Sequence, residues 1–391
     1  MIQLLEVNDN PILKKEFLML PVKLYAQDQN WIRPWDHDVE AVFDPAKNKH
    51  FAHGECIRWV LQDADQQTIG RVAAFIDLDK QEEQPTGGMG FFECINDQNA
   101  AFVLFEACKN WLISKGMEAM DGPINFGDRD AWWGLMTKGW NHEPTYRMPW
   151  TKEYYIGFFD AFGFKDYFQQ FVYQASVTQP PVVPSVEDKA NRIFKSSDYV
   201  FKHIEKKYID RYAEDFRVIY NEAWASFPGV KAMTSEQALS LVATMKPIID
   251  EELIWFGYTA AGRPVAFFVT IPDINQIVKH LDGQFDTWAK IKMGLHLLRG
   301  TIKRTCGLIF GIVPDFQGRG MESAIALRMR NAGRENPYFQ YDSIDFNWVG
   351  DFNPKMMRFS TQLGAKIEKT FITYRYLFDR EKPFKRCPRV G

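Results

Sequence analysis

One order of elements occurs twice along this chain, and it constrains the fold more than any single residue does. In the first half, IRWVLQDADQQTIGRVAAFIDLD (Ile57–Asp79) reads as two β-rich runs around a polar turn, a hairpin. GFFECIN follows as a short strand. NAAFVLFEACKNWLISK (Asn99–Lys115) then places Phe102, Phe105, Cys108 and Leu112 at helical spacing before Gly116 stops it. MEAMDGPINFG is a strand running into a Gly and Pro turn, and EYYIGFFDAFGF a short helix closed by Gly163. The second half repeats this order. Its hairpin ELIWFGYTAAGRPVAFFVTIPD turns at Ala261 and Gly262, and GLIFGIVPDFQGRGMESAIALRMRN reads as strand, Gly-rich turn and helix. SIDFNWV is the next strand, NPKMMRFSTQLG a short helix closed by Gly364, and KTFITYRYLFD a last strand. Two helices, Tyr208–Ser226 and Ser235–Met245, lead into this half. The halves share little residue identity, so a tandem duplication of one α/β unit is the economical account.

Length agrees with a division: 391 residues, at roughly 100–200 per domain, suit two or three domains. Composition breaks at residues 176–198, where Pro180, Pro181 and Pro184 discourage both helix and central strand. We expect domains over residues 1–175 and 199–391, joined by a Pro-rich linker over 176–198.

Charge excludes one large class of partners. The 47 Lys and Arg nearly balance the 50 Asp and Glu, for a net charge of -3, so no overall field draws the chain to nucleic acid. Cys56, Cys94, Cys108, Cys306 and Cys387 are odd in number and scattered without a C-x-x-C pair, which indicates neither a disulfide framework nor a metal site and fits a reducing cytoplasm. Glu6 and Asp9 fall where a signal peptide needs its apolar run, and no stretch of about 18 uncharged apolar residues occurs. The expectation is a cytoplasmic protein, with peripheral contact at the inner face of a membrane as a further reading. The sequence carries no signal for oligomeric state.

The sharpest local signal is IFGIVPDFQGRGME, Ile309–Glu322, entering a helix. Glycines at 318 and 320 permit close backbone approach, and the free amides of a helix's first turn form an anion site aided by the helix dipole. A tight strand-to-helix turn would use the same glycines, and a G-x-G alone is weak evidence.

With these residues the chain resembles the GNAT superfamily of acyl-CoA-dependent N-acyltransferases. Their pyrophosphate loop, Q/R-x-x-G-x-G/A, follows a strand that splays open; here Gln317, Gly318, Arg319 and Gly320 match it, and Glu322 stands where a small residue is usual. Asn353, eleven residues before Gly364, has the spacing of the family's CoA-contacting Asn, and the family's general-acid Tyr falls at Ser360. The resemblance implies two tandem GNAT-like α/β domains, each a twisted mixed central sheet flanked by helices. It implies acetyl-CoA or a longer acyl-CoA as co-substrate, with no metal. The first half lacks the loop glycines in INDQNAAFVLFE but keeps the closing aromatic helix, so it reads as a degenerate copy that completes the acceptor pocket. Its segments QDQNWIRPW, VFDPAKN and MDGPINFG are similar to a bacterial subgroup linked to lipid N-acylation, including the bacterial ceramide synthases.

That resemblance implies backbone groups at Ile312 and Val313 for the pantetheine arm, with the Val313 amide polarising the thioester carbonyl. An attacking amine must be neutral, so a base collects its proton, for which Glu322, Asp345 and, through water, Asn347 are the candidates. Each of the two carboxylates is equally well explained as a solvated or capping residue. The expected chemistry is direct transfer to a small-molecule or lipid amine, without an acyl-enzyme at Cys306. The alternative is a catalytically silent protein that keeps the fold and binds acyl-CoA, lipid or a partner, and Glu322 and Ser360 favour it.

Other features have plainer explanations. The insert Ile274–Arg304 alternates Ile277, Leu281, Phe285, Trp288, Ile291, Leu295 and Leu298 with Lys279, Lys290 and Lys292, a pattern able to rest on a membrane or cover a lipid tunnel. A core-packing helix with a basic face is the commoner reason for such a pattern. His50 and His53 in HFAHGE lack the helix that metal chemistry at that spacing requires and read as ordinary histidines. In GDRDAWWGL, Trp132 and Trp133 anchor a loop, or Asp128, Arg129 and Asp130 line a cleft.

Overall fold

A computed structural model of the chain describes residues 2–79, 83–179, 182–224 and 232–389. The N-terminal half supplies strands β1 (Gln3–Glu6), β2 (Gly54–Gln62), β3 (Thr68–Asp77), β4 (Thr86–Cys94), β5 (Ala119–Gly122), β6 (Leu135–Lys138) and β7 (Lys165–Ser176). The C-terminal half supplies β8 (Tyr199–His203), β9 (Ile254–Thr259), β10 (Pro264–Pro272), β11 (Arg304–Ile312), β12 (Ser343–Gly350) and β13 (Lys366–Leu377). All belong to one sheet, in the order β1-β2-β3-β4-β5-β13-β7-β12-β11-β10-β9-β8, with β6 paired to β13.

That order contains an exchange. The last strand of the C-terminal half, β13, pairs with β5 of the N-terminal half, while β7 of the N-terminal half pairs with β12 of the C-terminal half. The two exchanged strands run antiparallel against each other at the centre. Their side chains follow them: Tyr374 and Tyr376 of β13 lie in the N-terminal core with Phe159, and Tyr173 and Ala175 of β7 lie in the C-terminal core with Phe346. Neither half closes its own sheet.

Helices cover the sheet: α1 (Pro11–Leu24), α2 (Asp36–Val42), α3 (Gln98–Ser114) and α4 (Tyr155–Phe162) in the first half, α5 (Pro184–Lys195) between the halves, then α6 (Ile209–Trp224), α7 (Ser235–Met245), α8 (Asn275–Val278), α9 (Thr287–Leu298), α10 (Met321–Glu335) and α11 (Pro354–Gln362). Both expected hairpins, and the strand-helix-strand runs after them, form where the patterning places them. In α3 the periodic residues Phe105, Cys108 and Leu112 are buried, with Leu104 beside them and Phe102 only half-buried, and Gly116 ends the helix at φ 79°. The Ser226 end expected for α6 lies outside the described residues.

The linker expectation is corrected. Residues 176–198 contain α5, which starts at Pro184 and buries Val186, Ala190 and Ile193 in the same core as Met321 and Ala324 of α10. Pro184 occupies the first helical position, where its missing N–H removes no bond and its fixed φ suits a helix. Pro180 and Pro181 lie outside the described residues.

Candidate functional site

The Gly-rich loop joins β11 to α10 through a single turn, Pro314–Phe316. Gly318 (φ 69°) and Gly320 (φ 96°) are both left-handed, a region that other residues enter only with strain. Gly320 is the N-cap and brings no capping side chain, so the first-turn amides of a 15-residue helix have no side chain closing them. The loop is tied back by Gln317, whose Nε2 donates to the Ile312 carbonyl at 3.0 Å. A Cβ built on Gly320 would lie 3.2 Å from Cβ of Lys189 in α5, so the helix read as linker forms one wall of the loop. Arg319 is exposed, its guanidinium 5.7 Å from the Phe316 ring. Glu322, in the first turn of α10, keeps one buried carboxylate oxygen without a hydrogen-bond partner.

Beside the loop the sheet opens. β11 and β12 pair in parallel only from Arg304 with Ser343 to Gly307 with Phe346. Beyond that point β12 bulges, with Trp348 at φ 61°, while β11 stays on β10 as far as Ile312. Val313 continues that pairing: its amide donates to the Val265 carbonyl at 2.9 Å, and its carbonyl accepts from Phe316. The role expected of the Val313 amide is therefore corrected, because both of its backbone groups are engaged. Antiparallel alternation turns the backbone groups of Phe310 and Ile312 away from β10 and into the opening. The Phe310 ring stacks on Phe359 of α11 at 5.0 Å and meets Phe268 at 5.5 Å, giving the opening an aromatic floor.

The N-terminal half has the same opening without the loop. β4 and β5 pair only from Thr86 with Ala119 to Gly88 with Asp121. At the start of α3, however, Asp97 is the N-cap, and its carboxylate accepts from the amides of Asn99 (2.8 Å) and Ala100 (3.2 Å). A residue of the chain thus already holds the place where an anion would bind.

The remaining candidates from the sequence are dispersed. Asn353 is the N-cap of α11 and accepts from the Met356 amide at 3.2 Å, so its oxygen is engaged in the helix. Ser360, at the position of the family's general acid, is fully buried, and its hydroxyl donates to the Met356 carbonyl at 3.0 Å. Asp345 is corrected as well. It is buried between Gln174 Nε2 (2.8 Å) and the Arg304 guanidinium (3.8 Å), with its carboxyl raised by burial. Arg304 also forms a double contact with Asp273 and donates to the carbonyls of Glu143 and Pro144, fastening the loop between β6 and α4 onto β11 and the end of β10. Asn347 joins this network through Nδ2 to the Thr145 hydroxyl at 3.1 Å, and its Oδ1 is buried without a partner. Cys306 is buried, and burial pushes its thiol well above the usual range, which removes it as a nucleophile at neutral pH.

A second constellation, absent from the sequence analysis, lies in the N-terminal half. A cavity of about 90 Å³ lies against the end of β4, walled by Trp31, Phe91, Trp132, Tyr146, Trp150 and Glu93. Phe91 (φ 51°), Trp132 (43°) and Arg147 (58°), all on its wall, are left-handed. Such backbone is costly for bulky residues and collects at sites where geometry is held for a purpose. Glu93 Oε2 takes hydrogen bonds from the hydroxyls of Tyr25 (2.5 Å) and Tyr155 (2.9 Å), and burial pushes its carboxyl up to about 7. Arg71 stands 3.6 Å from the other oxygen, too far for a tight pair. The one sequence signal was a lone carboxylate inside the apolar strand GFFEC.

In GDRDAWWGL it is Trp132 that faces the cavity. Asp128 pairs with Lys49 at 3.1 Å on the surface, and Arg129 lies over the rings of Trp133, Phe168 and Phe352. His50 and His53 meet over Asp77, His53 Nδ1 lying 2.7 Å and His50 Nδ1 3.5 Å from its two oxygens. A histidine-carboxylate contact accounts for that trio.

Comparison with known proteins places the fold. No family model matches the chain. It is 25% identical over 378 residues to the bacterial ceramide synthase of Caulobacter vibrioides, covering 93% of this chain and 94% of that protein. Among solved structures it is similar to a tandem GNAT protein from the clavulanic acid biosynthesis pathway, with a TM-score of 0.54 at 9% identity over 96% of this chain and 98% of that one. It is also similar to the GCN5-related glucosamine N-acetyltransferase region of a fungal multi-domain GH3 β-N-acetylglucosaminidase, with a TM-score of 0.56 at 10% identity. That match covers 96% of this chain and 38% of the longer fungal one. The chain has the tandem GNAT fold. Among the described residues no helix is long and apolar enough to cross a membrane.

Proposed function

We propose that the chain is an acyl-CoA-dependent N-acyltransferase that holds the thioester in its C-terminal half and passes the acyl group to a long-chain lipid amine. The observation that carries this reading is the coincidence, in that half alone, of an opened strand pair with an uncapped glycine loop at a helix N-terminus. The loop amides suit the pyrophosphate of the co-substrate, and the dipole of α10 favours its charge. The inward backbone groups of Phe310 and the amide of Ile312, whose carbonyl is taken by Gln317, suit the pantetheine amides, and the aromatic floor suits an apolar chain. The name of the Caulobacter relative points to lipid as the acceptor class.

Transfer is direct. The amine nitrogen forms a bond to the thioester carbonyl carbon, the C–S bond breaks, and the thiolate leaves and takes up a proton. The nitrogen loses its own proton to a base, for which Glu322, with a carboxylate oxygen free of hydrogen bonds, is the candidate, while the free Oδ1 of Asn347 can only orient a water that carries the proton away. The second reading, a silent acyl-CoA-binding protein, is favoured by the buried hydroxyl of Ser360 and by the engaged amide of Val313.

Release of free thiol from palmitoyl-CoA and acetyl-CoA, with a long-chain amino alcohol or a short polar amine as acceptor, separates the two. At about 0.8 kcal/mol per buried methylene, the long pair should be preferred by more than about tenfold. A short polar amine as best acceptor would refute the lipid assignment. Binding without release for any amine would establish the silent reading.

A further inference from the structure

Helix α9 does not pack as a core helix. Of its twelve residues only Ala289 is buried, and it meets the body through Ala289, Met293 and His296, whose ring stacks on His280 at 4.6 Å. Trp288, Ile291, Leu295 and Leu298 fall at i, i+3, i+7 and i+10, along one side of the helix. They are 63%, 49%, 46% and 87% exposed, a degree of exposure that water penalises in a row of large apolar side chains. Phe285, just before the helix, extends the apolar surface and carries Lys290 over its ring at 5.1 Å.

Beyond the N-cap Asp286, charge along this helix has one sign. From Thr287 to Lys303 the chain carries Lys290, Lys292, Arg299 and Lys303, all exposed, and no carboxylate, although the whole chain has a net charge of -3. On the helical wheel Lys292 and Arg299 border the apolar stripe. The helix is too short to cross a bilayer, which takes about 20 residues.

We propose that α9 is a membrane-docking helix that lies in the plane of an anionic lipid surface, with Trp288, Ile291, Leu295 and Leu298 in the acyl boundary and the four cations among the headgroups. A protein partner or a second copy would explain the apolar stripe. The positive border formed by Lys292 and Arg299 is what selects an anionic bilayer over either. The proposal holds whether or not the chain transfers acyl groups, and it gives a lipid acceptor a route to the protein.

Co-flotation of the purified chain with vesicles tests it, using phosphatidylcholine containing phosphatidylglycerol against phosphatidylcholine alone. The chain is expected to float with the anionic vesicles and to be released by high salt. Reversing two cations (Lys292→Glu with Arg299→Glu) should cut the binding constant by more than about tenfold, at about 1 kcal/mol per cation. Removing apolar anchors (Trp288→Ser with Leu298→Ser) should also abolish flotation. All four side chains are solvent-exposed, so unchanged thermal unfolding certifies that both variants are folded. A wild-type chain that stays soluble with both vesicle types would overturn the proposal. So would variants that float as well as the wild type, or a dimer that the variants dissociate without any change in vesicle binding.

Discussion

Gly320→Glu is expected to lose acyl-CoA affinity by on the order of 100-fold, about 2.7 kcal/mol. Two effects add at this position. Gly320 sits at φ 96°, and a Cβ there would press on Lys189 at 3.2 Å, so any side chain strains the loop. The glutamate then sets a carboxylate among the helix amides that the pyrophosphate needs. Gly320→Ala separates the two, since it carries the same strain without the charge and should weaken binding only several-fold. Calorimetric titration of both variants with palmitoyl-CoA, beside their thermal unfolding, reads the difference. Equal losses would mean that the loop's shape, and not its anion site, was damaged. Wild-type affinity in both would remove this loop from the binding site.

The second large effect concerns Glu93 and pH. Burial raises its carboxyl from the ordinary 4.5 to about 7, because neither Arg71 at 3.6 Å nor the hydrogen bonds donated by Tyr25 and Tyr155 offset the loss of water. The folded state thus prefers the neutral acid. Its contribution is complete below about pH 4.5 and is lost as pH rises through about 7, some 3 kcal/mol in all at 1.36 kcal/mol per unit. Glu93→Gln is neutral at every pH and keeps an oxygen for Tyr25 and Tyr155, so this pH dependence should vanish. Urea unfolding of wild type and variant between about pH 5 and 8 measures it. Parallel stability profiles would show that Glu93 is ionised throughout in the folded chain.

Local patterns carried most of the element assignments, because helical spacing, hairpin turns and glycine stops are written within a few residues of one another. Pairing between distant strands is not. Nothing in KTFITYRYLFD says that its partners are β5 and β7, yet that exchange decides that the two halves form one sheet. Pro184 misled because proline was weighed as a breaker and not as a helix start. At Val313 the expectation misses by one residue, because strand alternation, visible only once β10 is in place, turns the backbone groups of Phe310 and the amide of Ile312 into the opening instead. The Glu93 cluster was beyond reach, since Tyr25 and Tyr155 arrive from two separate helix ends. For α9 the amphipathic pattern was read and the commoner explanation preferred, and only the exposure of its apolar side overturns it.

The two halves have kept one architecture and divided its uses. The C-terminal half keeps a helix N-terminus without a capping side chain at its glycine loop, whereas in the N-terminal half Asp97 caps the equivalent helix and the cavity around Glu93 lies beside an opening that lacks such a loop. A single donor site per chain is therefore the central claim, and the stoichiometry of acyl-CoA binding tests it most directly. Calorimetric titration of the wild-type chain with palmitoyl-CoA should saturate at one thioester per chain. Saturation at two, or no binding at all, would contradict it.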